Sequence, residues 1–166
     1  MKVLTRAALL LALALTFQSL RYFIPIPIFL STFLIGSLVN ACLLVALETI
    51  GAKHAFIIGL IIPVVAYFQQ MLPLPIMIVP VAFGNAIYIG VFFSSKRWQT
   101  WLRIGIAGLS KAVFMYCAFS WLLVLLAIPT KLASNLLFVM SWPQFVTGVM
   151  GGILASILKK RLQGLL

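Results

Sequence analysis

The sequence contains no aspartate and only one glutamate, Glu48, among 166 residues. It has a single histidine, His54, and two cysteines, Cys42 and Cys117. Each scarcity excludes a class of chemistry. An aspartyl-protease pair cannot be built without Asp, and a serine–histidine dyad at membrane depth is not available because His54 falls in a polar turn beside Lys53. Zinc needs three or four convergent ligands, whereas one His, one Glu and two Cys are scattered over separate segments. Both cysteines lie within apolar runs and read as packing residues rather than disulfide partners or metal ligands. Proton-driven carriers use carboxylates inside the membrane as relays. Glu48 instead stands at a helix end, close enough to Lys53 and His54 for a plain turn ion pair. The phosphate-binding pattern G-x-x-x-x-G-K-S/T is also missing. An enzyme, a metal and a cofactor are therefore not expected, and a solute moved uphill would draw its energy from a partner.

What the chain does have is apolar sequence: 64% of its residues are hydrophobic and only 8% charged, against about a quarter charged in globular domains. Six membrane-spanning helices of roughly 20 residues would use about 120 positions, leaving room for tails and short loops but not for a second soluble domain. The expected fold is an all-α integral membrane protein, one compact six-helix bundle over residues 1–166. Its spans are read at about 3–20, 28–47, 55–68, 76–93, 104–128 and 143–158. The first is expected to be a retained helix, although Ala12-Leu13-Ala14 resembles a signal-peptidase site. Arg21 to Pro27 is read as the break after it, because Pro25 and Pro27 lack an N–H and disfavour helix in the residue before them. Pro63 lies inside the third span, which membrane bundles tolerate.

Twelve Lys and Arg give a formal charge of +11. They form no stripe, so nucleic acid is not an expected partner; they sit between apolar runs. Lys2, Arg6, Lys53, Lys96, Arg97, Arg103, Lys159, Lys160 and Arg161 fall on one side of the expected layout. Arg21 and Lys131 fall on the other. Positively charged loops stay cytoplasmic, so both termini are expected inside.

With that orientation the polar residues collect in the outer half. Gln18, Tyr67, Gln70, Asn135, Trp142 and Gln144 lie there, with Asn85 near mid-membrane and Tyr88 one turn deeper. Tyr and Trp also form interfacial belts and glutamines also cap helix ends, so each has an ordinary structural reading too. Asn85 is less easily explained that way, since a buried amide in hydrocarbon needs partners, whether helices or a polar ligand. Lys111 is the one basic residue inside a span. Its stem could snorkel toward the cytoplasm, meet a partner, or meet a substrate. Small residues mark two faces: Ala8 and Ala12 on the first helix, and Gly148, Gly151, Gly152 and Ala155 on the last, the latter read as packing within the bundle.

Six short spans, both termini inside, Ala-x-x-x-Ala on the first helix, a proline-containing first outer loop and polar groups gathered outside together resemble the substrate-binding S component of an energy-coupling factor (ECF) transporter. The strings Pro80-Val81-Ala82-Phe83-Gly84-Asn85-Ala86 and Ser141-Trp142-Pro143-Gln144-Phe145-Val146-Thr147-Gly148 carry the likeness further. The resemblance implies a multi-pass protein of a prokaryotic inner membrane that captures a vitamin or similar nutrient. It would dock through Ala8 and Ala12 on a transmembrane coupling subunit served by two cytosolic ATPases. Arg21 to Pro27 and Gln69 to Pro75 would lid the pocket. Gln18, Tyr67, Gln70, Asn85, Tyr88, Lys111, Asn135, Trp142 and Gln144 are the candidate binding residues. Amides would orient the solute, and Trp or Tyr would stack on an aromatic or heterocyclic body. The rival readings are a membrane scaffold or assembly protein and a stand-alone facilitator. A scaffold would leave Asn85, Asn135 and Gln144 on separate faces, whereas a binding protein should bring them to one cavity.

Overall fold

A computed structural model describes residues 2–23 and 27–163. Among the described residues seven α-helices follow in order: α1 (Lys2–Phe23), α2 (Ile28–Ile50), α3 (Ala52–Phe68), α4 (Ile78–Ser94), α5 (Thr100–Leu125), α6 (Thr130–Val139) and α7 (Trp142–Gln163). A short 3-10 turn, Pro75–Met77, leads into α4. Five segments among the described residues are long and apolar enough to cross a membrane: Lys2–Phe23, Leu30–Ile50, Pro75–Ser94, Thr100–Leu125 and Thr130–Arg161. The apolar α3 has 17 residues, about 26 Å at 1.5 Å per residue, against a hydrocarbon thickness of about 30 Å.

Prolines set several helix starts. Pro27 and Pro129 stand immediately before α2 and α6, and Pro143 is the second residue of α7; their missing N–H is not needed in a first turn. The α1 helix runs through Arg21, Tyr22 and Phe23, further than the expected break at Arg21. Pro25 and Pro27 restrict only the residues directly before them, so the three preceding residues complete the helix. Ile24, Pro25 and Ile26, part of the anticipated lid, lie outside the described residues. At the other end of α2, Gly51 turns the chain into α3 with φ of 90° and ψ of 167°, a conformation essentially only glycine adopts, because it has no Cβ to clash.

The packing departs from that of a soluble protein at the surface more than in the core. Leu9, Leu60, Phe83, Leu109, Trp121 and Val124 are exposed, while Gln18, Ser37, Asn40, Asn85, Lys111 and Thr147 are buried. An apolar exterior, with a few polar groups gathered inside an otherwise apolar core, suits helices whose solvent is lipid. Cys42 is buried as expected, but Cys117 is exposed. It shares the outward face of α5 with Val113, Tyr116, Trp121 and Val124, so its place in an apolar run reflected surroundings outside the bundle rather than its core.

The α7 helix seats against α2 and α5 through its glycines. A Cβ on Gly148 would lie 3.0 Å from Gly108 Cα on α5, and one on Gly151 would lie 2.8 Å from the Ser37 carbonyl oxygen on α2. The small face anticipated on the last helix is therefore an internal contact surface, with backbones in close approach.

Basic residues cluster at one end of the bundle. Glu48 does not pair with Lys53 or His54: it accepts from Arg103 Nη2 at 3.2 Å and from Lys159 Nζ at 2.5 Å. Because α2 continues to Ile50, Glu48 still lies on the helix face toward α5 and α7, and those helices supply its partners. His54 Nδ1 instead approaches the Ile50 carbonyl at 3.0 Å. At the opposite end, Tyr22 Oη donates to the Gln69 carbonyl, and Gln69 Nε2 donates to Ser19 Oγ at 2.9 Å. These bonds tie the end of α1 to the loop after α3.

Candidate functional site

A cavity of about 300 Å³ opens between the helices on the side away from the basic end, and every helix contributes to its wall. That volume is at the lower bound of ordinary small-molecule pockets, about 300–1,000 Å³. Its deep part is polar and is built from Asn40, Asn85, Lys111 and Thr147, one residue each from α2, α4, α5 and α7. Asn40 stands about 18 Å along α2 from Ile28 at 1.5 Å per residue, which places this cluster near the middle of the bundle.

The cluster begins with a backbone consequence of sequence. Pro63 has no N–H to give to the carbonyl four residues earlier, which belongs to Gly59. Asn85 Nδ2 donates to that freed Gly59 carbonyl at 3.0 Å. The amide is thereby oriented with its oxygen inward, where it accepts from Lys111 Nζ at 3.0 Å. Asn40 repeats the arrangement from the facing helix: Nδ2 donates to Thr147 Oγ1 at 3.3 Å, and Oδ1 accepts from Lys111 Nζ at 2.7 Å. Thr147 Oγ1 in turn donates to the Gln144 carbonyl at 3.2 Å. Lys111 therefore does not snorkel. Its side chain is 4% exposed, and two fixed amide oxygens hold its ammonium at the cavity wall.

Tyr88 lies beneath this cluster. It is completely buried, its hydroxyl donates to the Gly148 carbonyl at 2.6 Å, and its ring is 5.3 Å from Lys111 Nζ. It supports the lysine and does not line the cavity.

Nearer the mouth, Gln18 and Arg21 from α1 and Gln144 from α7 join the wall. Gln18 Nε2 donates to Met71 Sδ at 3.3 Å, while Gln18 Oε1 and Arg21 Nε are buried without a hydrogen-bond partner among the described residues. Gln144 Nε2 donates to the Val139 carbonyl at 3.2 Å. Between mouth and floor the surface is aliphatic and sulfur-bearing, with Ile35, Val39, Met71, Met115 and Met140.

Of the nine binding residues anticipated from sequence, the cavity brings together Gln18, Asn85, Lys111 and Gln144. Tyr67 and Gln70 line a separate shallow pocket with Phe68, Leu72 and Pro73. Asn135 is exposed, so it does not converge with Asn85 and Gln144. It is Leu136 and Val139 on α6, with Met140 just after it, that face the cavity, and a helical step of one residue turns Asn135 away from that face. Trp142 is half exposed and packs against Phe33 in a tilted pair and Phe138 in an edge-to-face pair, at centroid distances of 5.5 and 5.7 Å. No aromatic side chain lines the cavity among the described residues; methionines occupy the places expected for Trp or Tyr. Sequence reasoning omitted Asn40 and Thr147. An Asn in the middle of an apolar span was the available signal for Asn40, by the same argument that singled out Asn85. Ala8 and Ala12 lie far from the cavity, both exposed on α1.

A second cavity of about 190 Å³ at the basic end is lined by Glu48, Phe92, Arg103 and Lys159. Glu48, Arg103 and Lys159 are committed to one another there, with Lys160 also on the wall and Arg103 also 4.0 Å from the Phe92 ring. Among the described residues no cluster of His, Cys, Asp and Glu has the makings of a metal site.

The family described as "ECF transporter, substrate-specific component" matches residues 2–162. No curated protein and no solved structure matches the chain significantly.

Proposed function

The chain belongs to the family of ECF transporter substrate-specific components, a family of membrane transport proteins rather than enzymes, and on that premise we propose that it captures a micronutrient in the central cavity. The observation that carries this reading is the polar cluster of Asn40, Asn85, Lys111 and Thr147 inside a bundle whose exterior is apolar. Buried polar groups in a membrane protein are costly unless satisfied. Here they are pinned by one another and line the cavity, which is the largely pre-formed arrangement of polar groups that orients a ligand.

The basic end faces the cytoplasm, by the distribution of Lys and Arg, and the cavity opens to the outside of a prokaryotic inner membrane. Arg21 on α1 and Met71 and Leu72 in the loop after α3 border its mouth, and the Tyr22 and Gln69 bonds join the two segments. Energy comes from a transmembrane coupling subunit with two cytosolic ATPases. The docking face is α1, which buries only Ala14 and Gln18 and presents Ala8 and Ala12 one turn apart for close backbone approach. The solute, a vitamin or a precursor of one, reaches the cytoplasm when the whole bundle tilts against that subunit. The convergence of Asn85 and Gln144 on one cavity favours this reading over a scaffold, although Asn135 takes no part.

The test is reconstitution with and without the coupling subunit and ATPases. Solute uptake is expected only with all subunits and ATP. Ala8→Trp or Ala12→Trp should abolish co-purification with the coupling subunit while leaving solute binding intact. Uptake that persists without the ATPases would instead favour a stand-alone facilitator.

A further inference from the structure

The cavity's charge has no counterpart within the protein. Lys111 Nζ has three donors, of which two are given to the Asn40 and Asn85 oxygens. Amide oxygens solvate a cation without neutralising it. The only carboxylate side chain in the sequence, Glu48, is already shared between Arg103 and Lys159 at the basic end. Arg21 borders the same cavity, with its Nε buried and unpartnered among the described residues. Two cationic side chains therefore line one low-dielectric pocket in a chain with no acid to spare for them. Buried charges in membrane proteins are normally paired, and the fold leaves this pairing to whatever occupies the cavity.

Resting on the reading that this cavity is the substrate site, we propose that the ligand carries an anionic oxygen head group, a carboxylate or a phosphate ester, seated on Lys111 between Asn40 and Asn85. The third Nζ donor makes a charge-assisted bond to it, and Arg21 closes over the complex from the mouth. The body of the ligand is apolar or aromatic, since Met71, Met115 and Met140 offer flexible, polarisable surface that moulds to such groups. The Asn85 orientation set by Pro63 and Gly59 makes the head-group site rigid. Selectivity then follows from charge at the floor and shape along the wall.

The full chain in neutral detergent is titrated by thermal unfolding with benzoate, phenylacetate and phenyl phosphate. Each is run beside its uncharged counterpart, benzamide, phenylacetamide and phenol, and beside benzylamine. At least one acid should raise the melting temperature saturably at millimolar concentration, and its neutral counterpart should not; the carboxylate and phosphate arms identify the head group. Lys111→Gln, which keeps a donor but removes the charge, should weaken the acid about 10- to 100-fold, the range for a charge-assisted bond. Asn40→Asp, which places a carboxylate of the same shape where Oδ1 now stands 2.7 Å from Nζ, should weaken it as much by supplying the missing counter-charge. Arg21→Gln should weaken it less. Should Lys111→Gln fail to fold, Asn40→Asp and Arg21→Gln decide the matter. Equal shifts by neutral compounds or the amine, no shift by any acid, or unchanged acid affinity in the folded variants would overturn the anionic head group. Co-purification with the coupling subunit is read in parallel. Its loss with acid selectivity intact overturns the transport reading alone, and the converse overturns only the ligand class.

Discussion

Replacing Gly151 with alanine tests how α7 is seated and how that seating holds the cavity floor. A Cβ at this position would stand 2.6 Å from Asn40 Cβ, 2.8 Å from the Ser37 carbonyl oxygen and 3.0 Å from Ala41 N. Two of those three atoms are backbone, so no rotamer change relieves the contact. The helices α2 and α7 must separate by about 0.8 Å to restore ordinary contact, and overpacking of this kind costs about 1–3 kcal/mol. For a chain of this size that corresponds to a fall of roughly 2–12 °C in melting temperature. The separation also acts on the Asn40–Thr147 bond, which spans the same two helices and is already 3.3 Å long. Gly151→Ala should therefore weaken ligand binding without touching the ligand. Gly105 on α5 provides the opposite case, because a Cβ there meets nothing within 4 Å. Gly105→Ala should stabilise by about 0.4–1 kcal/mol, through helix propensity and a less flexible unfolded chain. Thermal unfolding of the two variants in the same detergent is the assay. A neutral Gly151→Ala, or a Gly105→Ala as damaging as Gly151→Ala, would refute the seating described here.

Two further substitutions probe the basic end. Gly51 has φ of 90° and ψ of 167° with open space where a Cβ would stand, a region essentially reserved to glycine, so Gly51→Ala should lose about 1–3 kcal/mol from backbone strain alone, with Gly51→Asn losing as much because its tolerance is for the left-handed helical region; thermal unfolding of the pair measures both. Glu48→Gln removes the carboxylate shared by Arg103 and Lys159 and should destabilise by about 1–2 kcal/mol. In the same assay Arg103→Gln should cost more than Lys159→Gln, because the Arg103 side chain is 11% exposed and Lys159 is 40% exposed, and added salt should diminish only the smaller effect.

The helical membrane fold was readable because it rests on local quantities. Apolar run length, proline positions and the alternation of basic turns need no knowledge of which helix packs on which. Asn85 and Lys111 stood out for the same reason, as single polar residues whose burial in hydrocarbon is unfavourable wherever the neighbouring helices lie. What remained hidden depends on helix rotation and partner choice. Asn40 acquires its role from Lys111, 71 positions away, and the Gly59 carbonyl matters only because Pro63 frees it for Asn85. Asn135 and Trp142 occupy the expected end of the bundle, yet Asn135 is exposed on α6 and Trp142 packs against Phe33 and Phe138 rather than lining the cavity. Cys117 likewise shows that an apolar run has both an inward and an outward face, which composition does not separate. Glu48 bonds to residues on α5 and α7 rather than to its neighbours in sequence, a consequence of α2 ending two residues later than the acid.

The central claim is that this bundle holds a solute on Asn40, Asn85 and Lys111. Mass spectrometry of the small molecules released by denaturing the purified full chain tests it most directly. Wild type should release one organic compound in near-stoichiometric amount, absent or strongly depleted from Lys111→Gln purified in parallel. Equal release from both proteins, or nothing beyond lipid and detergent from wild type expressed in nutrient-replete cells, would contradict it.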